Sequence, residues 1–119
     1  MHLTITPLLA AAATLATTVV AEQMFVTEYC LTLICRRPAR WVNIFGEYNV
    51  DASDGCRVPA VPNLEEFCVD TRRERGHFRY RDGPRRCMVV TSSEWQKCSD
   101  DFDWATCASE VWTEVLCSW

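Results

Sequence analysis

Eight cysteines constrain the fold of this 119-residue chain more than any other feature. They are Cys30, Cys35, Cys56, Cys68, Cys87, Cys98, Cys107 and Cys117. An even number of cysteines at this density in a short chain is typical of a domain that needs cross-links because its core is small. The eight residues therefore predict four disulfides, whose connectivity the sequence leaves open.

Cysteine spacing narrows the pairing and disfavours a metal. If 24–35 is one strand, Cys30 and Cys35 lie about 16 Å apart, which is too far for a bridge. If Cys107 and Cys117 share a helix, they lie about 15 Å apart and cannot pair either. The disulfides are thus predicted to join a sheet to a helix. Zinc sites use closely spaced cysteine pairs, and no C-x2-C pair occurs, so we predict no metal and no other cofactor.

The first 21 residues have the pattern of a secretory leader. An apolar centre is followed by the small-residue spacing of Val19 and Ala21, which predicts cleavage before Glu22. The alternative is an uncleaved membrane anchor, but the apolar run is shorter than the roughly 20 residues that span a bilayer. We therefore expect a signal peptide over 1–21, a single disulfide-rich domain over 22–119, and a secreted, extracellular protein without a membrane span.

Hydrophobic periodicity predicts an α+β fold, in which an antiparallel sheet of about three to five short strands is followed by a C-terminal helix. Strands are predicted over 24–35, 41–50, 77–82 and 85–91. Helical turns are predicted over 63–71 and after Thr91, and a longer helix over 100–117. This last helix is indicated by apolar residues at helical spacing, among them Trp104, Ala108 and Val115.

Charge is segregated along the domain. The formal net charge of −4 excludes a generally cationic antimicrobial peptide or a histone-like binder. Residues 71–86 nevertheless carry seven arginines against two acids, a local charge of +5, whereas residues 94–119 carry six acids against Lys97, a local charge of −5. The seven arginines are Arg72, Arg73, Arg75, Arg79, Arg81, Arg85 and Arg86.

This arginine-rich hairpin, residues 72–86, is the predicted contact face. Arginine presents a planar fork that suits phosphate and carboxylate groups, so the hairpin predicts an anionic ligand or an acidic protein surface. Alternation places Phe78 and Tyr80 opposite Arg79 and Arg81, which disfavours base stacking and therefore nucleic acid. Charge reversal of Arg79 and Arg81 is expected to abolish binding. Two structural alternatives stay open, namely that the hairpin faces the acidic segment or that it is simply solvated.

The five tryptophans are divided between the core and the surface. In a small domain most tryptophan side chains fill the core, while an exposed tryptophan can anchor a partner. We assign Trp41 and Trp104 to the core, and we predict that Trp112 and Trp119 are contact residues.

Catalysis is not predicted. Beyond the leader the chain has one histidine, His77, which excludes a ribonuclease mechanism that uses two histidines. RNA hydrolysis by a Glu–His–Arg set stays open, with Glu47, Glu65 or Glu66 as the base and a nearby arginine on the phosphate. Because such residue types alone do not define a site, we expect a non-enzymatic protein.

In length, leader and cysteine density the chain resembles the small secreted cysteine-rich proteins of filamentous fungi, a class that includes plant-pathogen effectors and killer-type toxins. The resemblance assigns no functional residue. It implies a stable, monomeric binding module that acts outside the cell or inside a host, and the leading hypothesis is an effector-like protein that recognises a host or cell-surface component. The alternatives are a toxin, processed at an Arg-Arg pair (36–37, 72–73 or 85–86), and a small ribonuclease.

Overall fold

A computed structural model describes residues 21–31, 34–96 and 105–119, and every regular element within them is a β-strand. The strands are β1 (Gln23–Leu31), β2 (Ile34–Arg36), β3 (Pro38–Asn43), β4 (Gly46–Asp51), β5 (Gly55–Arg57), β6 (Leu64–Asp70), β7 (Arg75–Tyr80), β8 (Arg85–Gln96) and β9 (Ala105–Val115). They form one sheet in the order β4-β3-β1-β9-β8-β7-β6-β5, with β2 attached to β1. All pairings are antiparallel. Across the described ranges we find no helix with the length and apolar character needed to span a membrane.

The predicted α+β fold is wrong, because the described part of the chain is all sheet. β6 occupies most of the segment 63–71, and β8 continues through Thr91. Within the predicted C-terminal helix over 100–117, residues 105–115 form β9 between β1 and β8. Both edges of β9 are thus paired, so the sheet satisfies the backbone groups that a helix would otherwise pair internally. Residues 97–104, including Trp104, lie outside the described ranges.

The sheet curls into an open half-barrel whose inner face carries the hydrophobic core. Trp41 on β3 packs edge-to-face on Phe67 of β6 and on Phe78 of β7, with ring centroids 5.1 and 4.9 Å apart. Neither β6 nor β7 is a neighbour of β3 in the sheet. A hydrogen bond from Asn43 Nδ2 to the Tyr80 hydroxyl, 3.1 Å long, also crosses between these strands. The two arms of the sheet therefore close over one shared core.

An arginine is buried in the same interior. Arg37 is 6% exposed, and its guanidinium lies between the carboxylates of Glu28 and Glu110, at 2.9 and 2.8 Å. Its Nε donates a further hydrogen bond of 2.9 Å to the carbonyl oxygen of Ala52. Burial lowers the pKa of Arg37, but the hydrogen bonds and charges of the two carboxylates outweigh burial and raise it above its ordinary value. Arg37 therefore stays charged and joins β1, β9 and the segment after β4.

Disulfides cross-link neighbouring parts of the sheet. Three are formed by Cys30–Cys35, Cys56–Cys68 and Cys87–Cys117. Cys107 is disulfide-bonded as well, and Cys98 lies outside the described residues. The prediction that the cysteines form disulfides is confirmed for the bonded residues, whereas the predicted sheet-to-helix arrangement is wrong.

The Cys30–Cys35 pair, which the spacing argument excludes, also forms. β1 ends at Leu31 and β2 begins at Ile34, and their antiparallel register places Cys30 opposite Cys35 with the Cα atoms 4.0 Å apart. The prediction failed because it treated 24–35 as one extended strand. The predicted absence of a Cys107–Cys117 bridge holds, since Cys117 bonds to Cys87, but its premise of a shared helix is wrong.

Candidate anion-binding site

The candidate site lies on the outer face of β6, β7 and β8. Along β7 the burial alternates, so that Phe78 packs into the core while His77 lies on the opposite face, as the sequence pattern predicts. In register, His77 lies between Cys68 of β6 and Cys87 of β8. Each of these cysteines belongs to a disulfide, which ties the strands on both sides of His77 to a further segment. The site is therefore built on a cross-linked frame.

Gly76 sets the spacing of the strands beside this site. A Cβ atom at Gly76 would lie 2.6 Å from the carbonyl oxygen of Cys68 and 3.6 Å from the Trp112 ring. The first distance is shorter than an ordinary contact and involves rigid backbone. Only glycine allows β6 and β7 to approach this closely while Trp112 packs beneath them.

A pocket of about 180 Å³ opens between His77 and the C-terminal segment. Arg75, His77 and Arg85 supply its cationic or protonatable groups, and Trp119 supplies an aromatic wall. The Cys87–Cys117 bridge holds the C-terminal segment against β8, and the Arg75 guanidinium lies 5.0 Å from the centre of the Trp119 ring. This contact orients the guanidinium across the indole face, leaving its fork available to a ligand.

Carboxylate partners divide the seven predicted arginines into two groups. Four are paired: Arg73 with Asp70 at 3.0 Å, Arg79 with Glu65 at 3.0 Å, Arg81 with Glu65 at 3.5 Å, and Arg86 with Glu114 at 2.7 Å. For Arg72, Arg75 and Arg85, the described residues provide no carboxylate within 4.0 Å. Two of these three, Arg75 and Arg85, line the pocket. Asp70, which pairs with Arg73 and lies opposite Arg75 in the register, is the one carboxylate among the described lining residues, so an excess of positive charge remains around the pocket.

His77 joins the arginine pair to an acid. Arg85 NH2 lies 3.2 Å from His77 Nδ1, and because a guanidinium only donates, Nδ1 must accept. The proton of the neutral ring is then assigned to Nε2, which lies 3.9 Å from Glu66 Oε1. Burial and then the positive charge of Arg85 lower the pKa of His77, and Glu66 opposes this shift only in part. His77 is therefore neutral at neutral pH.

RNA hydrolysis by a Glu–His–Arg set and metal binding would both involve residues around His77. Of the three candidate bases, Glu66 lies nearest His77, while Glu47 pairs with Arg40 at 2.8 Å and Glu65 pairs with Arg79. The ligand atoms of Glu66, Cys68 and His77 lie within 4.8 Å of one another, as in a metal site. Cys68 is bonded to Cys56, however, so its sulfur is not a thiolate ligand.

Among the described tryptophans with a prediction, one is placed differently from that prediction. Trp41 and Trp112 are 0% and 1% exposed, so Trp41 is a core residue as predicted while Trp112 is not a surface contact. Trp119 lies in the pocket wall. The residue missed was Trp95 on β8, which is 75% exposed and whose exposure no local pattern indicated.

The site thus combines two guanidinium groups without a carboxylate within 4.0 Å, a neutral imidazole, an indole and the carboxylate of Asp70 around one small pocket. The guanidinium forks of Arg75 and Arg85 suit a sulfate, phosphate or carboxylate group. Comparison of the chain with protein-family models, with curated proteins and with solved structures gives no match.

Proposed function

We propose that the chain is a secreted, effector-like, non-enzymatic protein that binds an anionic group on a host or cell-surface component in the pocket of Arg75, His77, Arg85 and Trp119. One observation carries this proposal. Arg75 and Arg85 converge on a pocket whose one carboxylate among the described lining residues, Asp70, is already paired with Arg73 at 3.0 Å, whereas the neighbouring Arg79 and Arg81 share Glu65. The positive charges around the pocket therefore outnumber the single acid that lines it, and an anionic ligand removes the remaining repulsion.

The ligand group is expected to be compact. A pocket of about 180 Å³ fits a tetrahedral anion better than an extended chain, and two arginine forks can each donate two hydrogen bonds to it. The chain as a whole carries a net charge of −4, so an extended polyanion would meet repulsion away from the pocket. We therefore take a sulfate or phosphate group as the recognised unit.

Replacing both pocket arginines, as Arg75→Ser with Arg85→Ser, is expected to lower the affinity for inorganic sulfate at least about tenfold, because charge-assisted hydrogen bonds to the anion are lost. The measurement is a sulfate titration at constant ionic strength, followed by NMR of the Trp119 indole N–H and the His77 ring.

The matched control replaces Arg79 and Arg81 by glutamine. This double substitution removes the same charge from the same hairpin. Arg79 lies directly opposite Arg85 in the sheet register, but its partner is Glu65. The sequence alone assigns binding to Arg79 and Arg81, but because Glu65 already pairs with both, we now expect this control to keep its sulfate affinity within about twofold. Equal losses in the two double variants would mean that the hairpin acts only as diffuse charge, and the pocket would be rejected.

Sulfate affinity is also expected to fall as the pH rises from 5 to 8. The pKa of His77 is lowered in the free protein by burial and Arg85, whereas a bound anion favours the protonated ring, so binding takes up a proton. The sign follows directly, since proton uptake strengthens binding at low pH. We expect an affinity about threefold to tenfold higher at pH 5 than at pH 8.

Sulfate is chosen for this series because its own charge does not change between these pH values. The groups that face His77 are Arg85, Glu66, Asp70 and Arg75. A His77→Gln variant keeps a neutral polar side chain and is expected to give a flat profile. A pH dependence that survives in this variant would assign the titration to one of the acids instead.

RNA hydrolysis is the second candidate, and it is favoured by the meeting of Glu66, His77 and Arg85 on adjacent strands. Two features weigh against it. The Glu66–His77 separation of 3.9 Å exceeds hydrogen-bond reach, and the lowered pKa of His77 disfavours the protonated ring that would serve as general acid. RNA cleavage that is lost on His77→Gln would favour this candidate over simple binding.

A further inference from the structure

Glu22 is a buried acid at the start of the described chain. The residue is 7% exposed, and its Oε1 accepts hydrogen bonds of 2.6 Å from both Trp41 Nε1 and the Tyr80 hydroxyl. Its Oε2 lies 3.3 Å from a guanidinium nitrogen of Arg86. Burial and the hydrogen bond to Glu22 raise the pKa of Tyr80 to about 12, so this hydroxyl remains a donor over the ordinary pH range. The side chain of Glu22 is thus fully engaged with the core.

The backbone of Glu22 is held as firmly as its side chain. Its nitrogen lies 3.1 Å from Oε1 of Glu114, and its carbonyl oxygen accepts a 2.9 Å hydrogen bond from the Glu114 nitrogen. Glu114 in turn accepts two hydrogen bonds of 2.7 Å from Arg86. Ala21, the preceding residue, is exposed. The change from an exposed to a buried residue therefore falls between Ala21 and Glu22.

The charges of this cluster do not balance when residue 22 is linked to residue 21. Glu22 and Glu114 each contribute one negative charge, and Arg86 contributes the single positive charge that faces them among the described residues. Carboxylates with little exposure to water are stabilised by a cation within hydrogen-bond reach. One further positive charge at the Glu22 nitrogen would lie 3.1 Å from Glu114 and complete two ion pairs.

We propose that the bond between Ala21 and Glu22 is a processing site and that the α-ammonium group freed there is a structural partner of Glu114. Hydrolysis by a leader peptidase adds one water across this peptide bond. The C–N bond breaks, Ala21 keeps the new carboxylate, and the amine of Glu22 takes up a proton. The spacing of Val19 and Ala21 suits such a peptidase, and Glu22 is the first described residue whose side chain is buried and hydrogen-bonded in the core.

The test expresses the full chain with its leader in a secreting eukaryotic host and determines the N-terminus of the product by sequencing and intact mass. The unfolded, disulfide-intact product is then acetylated at its amines and refolded, and its Tm is compared with that of the unmodified product. Acetylation removes the α-ammonium charge and is expected to lower the Tm by about 4–8 °C. In a Glu114→Gln variant, which is acetylated at the same amines, the shift is expected to fall below half of that value.

Each outcome bears on the proposal. Recovery of the intact chain, a product that begins at any residue other than Glu22, or equal Tm shifts in the two proteins would overturn it. If Glu114→Gln does not fold, the acetylation rate of the native α-amine decides instead. A rate at least about tenfold below that of the unfolded chain supports the ion pair, and a smaller difference overturns it. These outcomes are independent of sulfate binding, so the proposed function is tested separately.

Discussion

Arg37→Ala is expected to lower the free energy of unfolding by about 3–5 kcal/mol. The substitution leaves the carboxylates of Glu28 and Glu110 facing each other in the interior without the cation that joins them at 2.9 and 2.8 Å. It also removes the donor to the carbonyl oxygen of Ala52. The loss arises because buried carboxylates are left without a cation. Their free-energy cost is far larger than the net stabilisation that the intact ion pair provides. Urea unfolding of the oxidised protein measures it.

Arg40→Ala provides the matched control. Arg40 pairs with Glu47 at 2.8 Å, but the two side chains are 53% and 58% exposed, so water screens the pair. We expect this control to lose at most about 1 kcal/mol. Comparable losses at Arg37 and Arg40 would show that water reaches the Arg37 cluster and that it is not a buried ionic centre.

Buried acids also explain why the residues of β9 have the sequence pattern of a helix. Along β9, the inward positions Ala108, Glu110, Trp112 and Glu114 alternate with outward ones, but two of the four are glutamates, which hides the period of two. Their arginine partners, Arg37 and Arg86, are 73 and 28 residues away in the chain. A local pattern cannot contain this information. In β7, where Phe78 is apolar and fully buried, the alternation is clear and the predicted strand over 77–82 overlaps the observed Arg75–Tyr80.

The sequence predicted the region that contains the candidate site but not which of its residues form the pocket. The composition of 71–86 identified a basic hairpin, yet the carboxylates that neutralise part of it, Glu65 and Glu114, lie outside that segment. Which arginines remain unpaired is therefore a property of the sheet register and not of the hairpin. The position of Trp119 likewise depends on a bridge between Cys87 and Cys117, which the sequence left among many pairings.

The disulfides also relate the candidate site to the redox conditions under which its frame stays intact. Cys56–Cys68 and Cys87–Cys117 lie on either side of His77, and the second holds the segment that carries Trp119. Such bridges persist in oxidising compartments and are reduced in the cytosol. Their position beside the pocket supports the proposal of binding outside the producing cell, because there the frame of the site stays cross-linked.

Trp41→Ala is expected to have an effect as large as that of Arg37→Ala, a loss of about 3–5 kcal/mol in the free energy of unfolding. The Trp41 side chain is 0% exposed and contacts Phe67 and Phe78 across the interior. Its removal leaves a cavity where the ring packs between β3 and the far arm of the sheet. It also removes one of the two donors to Glu22 Oε1.

Trp95→Ala is the matched control. Trp95 is 75% exposed, so its loss should change the free energy of unfolding by at most about 0.5 kcal/mol. Trp41→Phe keeps most of the ring volume and is expected to lose less than alanine, which separates packing from the hydrogen bond to Glu22. Domains of this size have a total stability of about 5–15 kcal/mol, so the alanine variant should unfold at a clearly lower urea concentration. A loss at Trp41 no larger than that at Trp95 would mean that the two arms do not share a core, and the half-barrel would have to be an open, flat sheet.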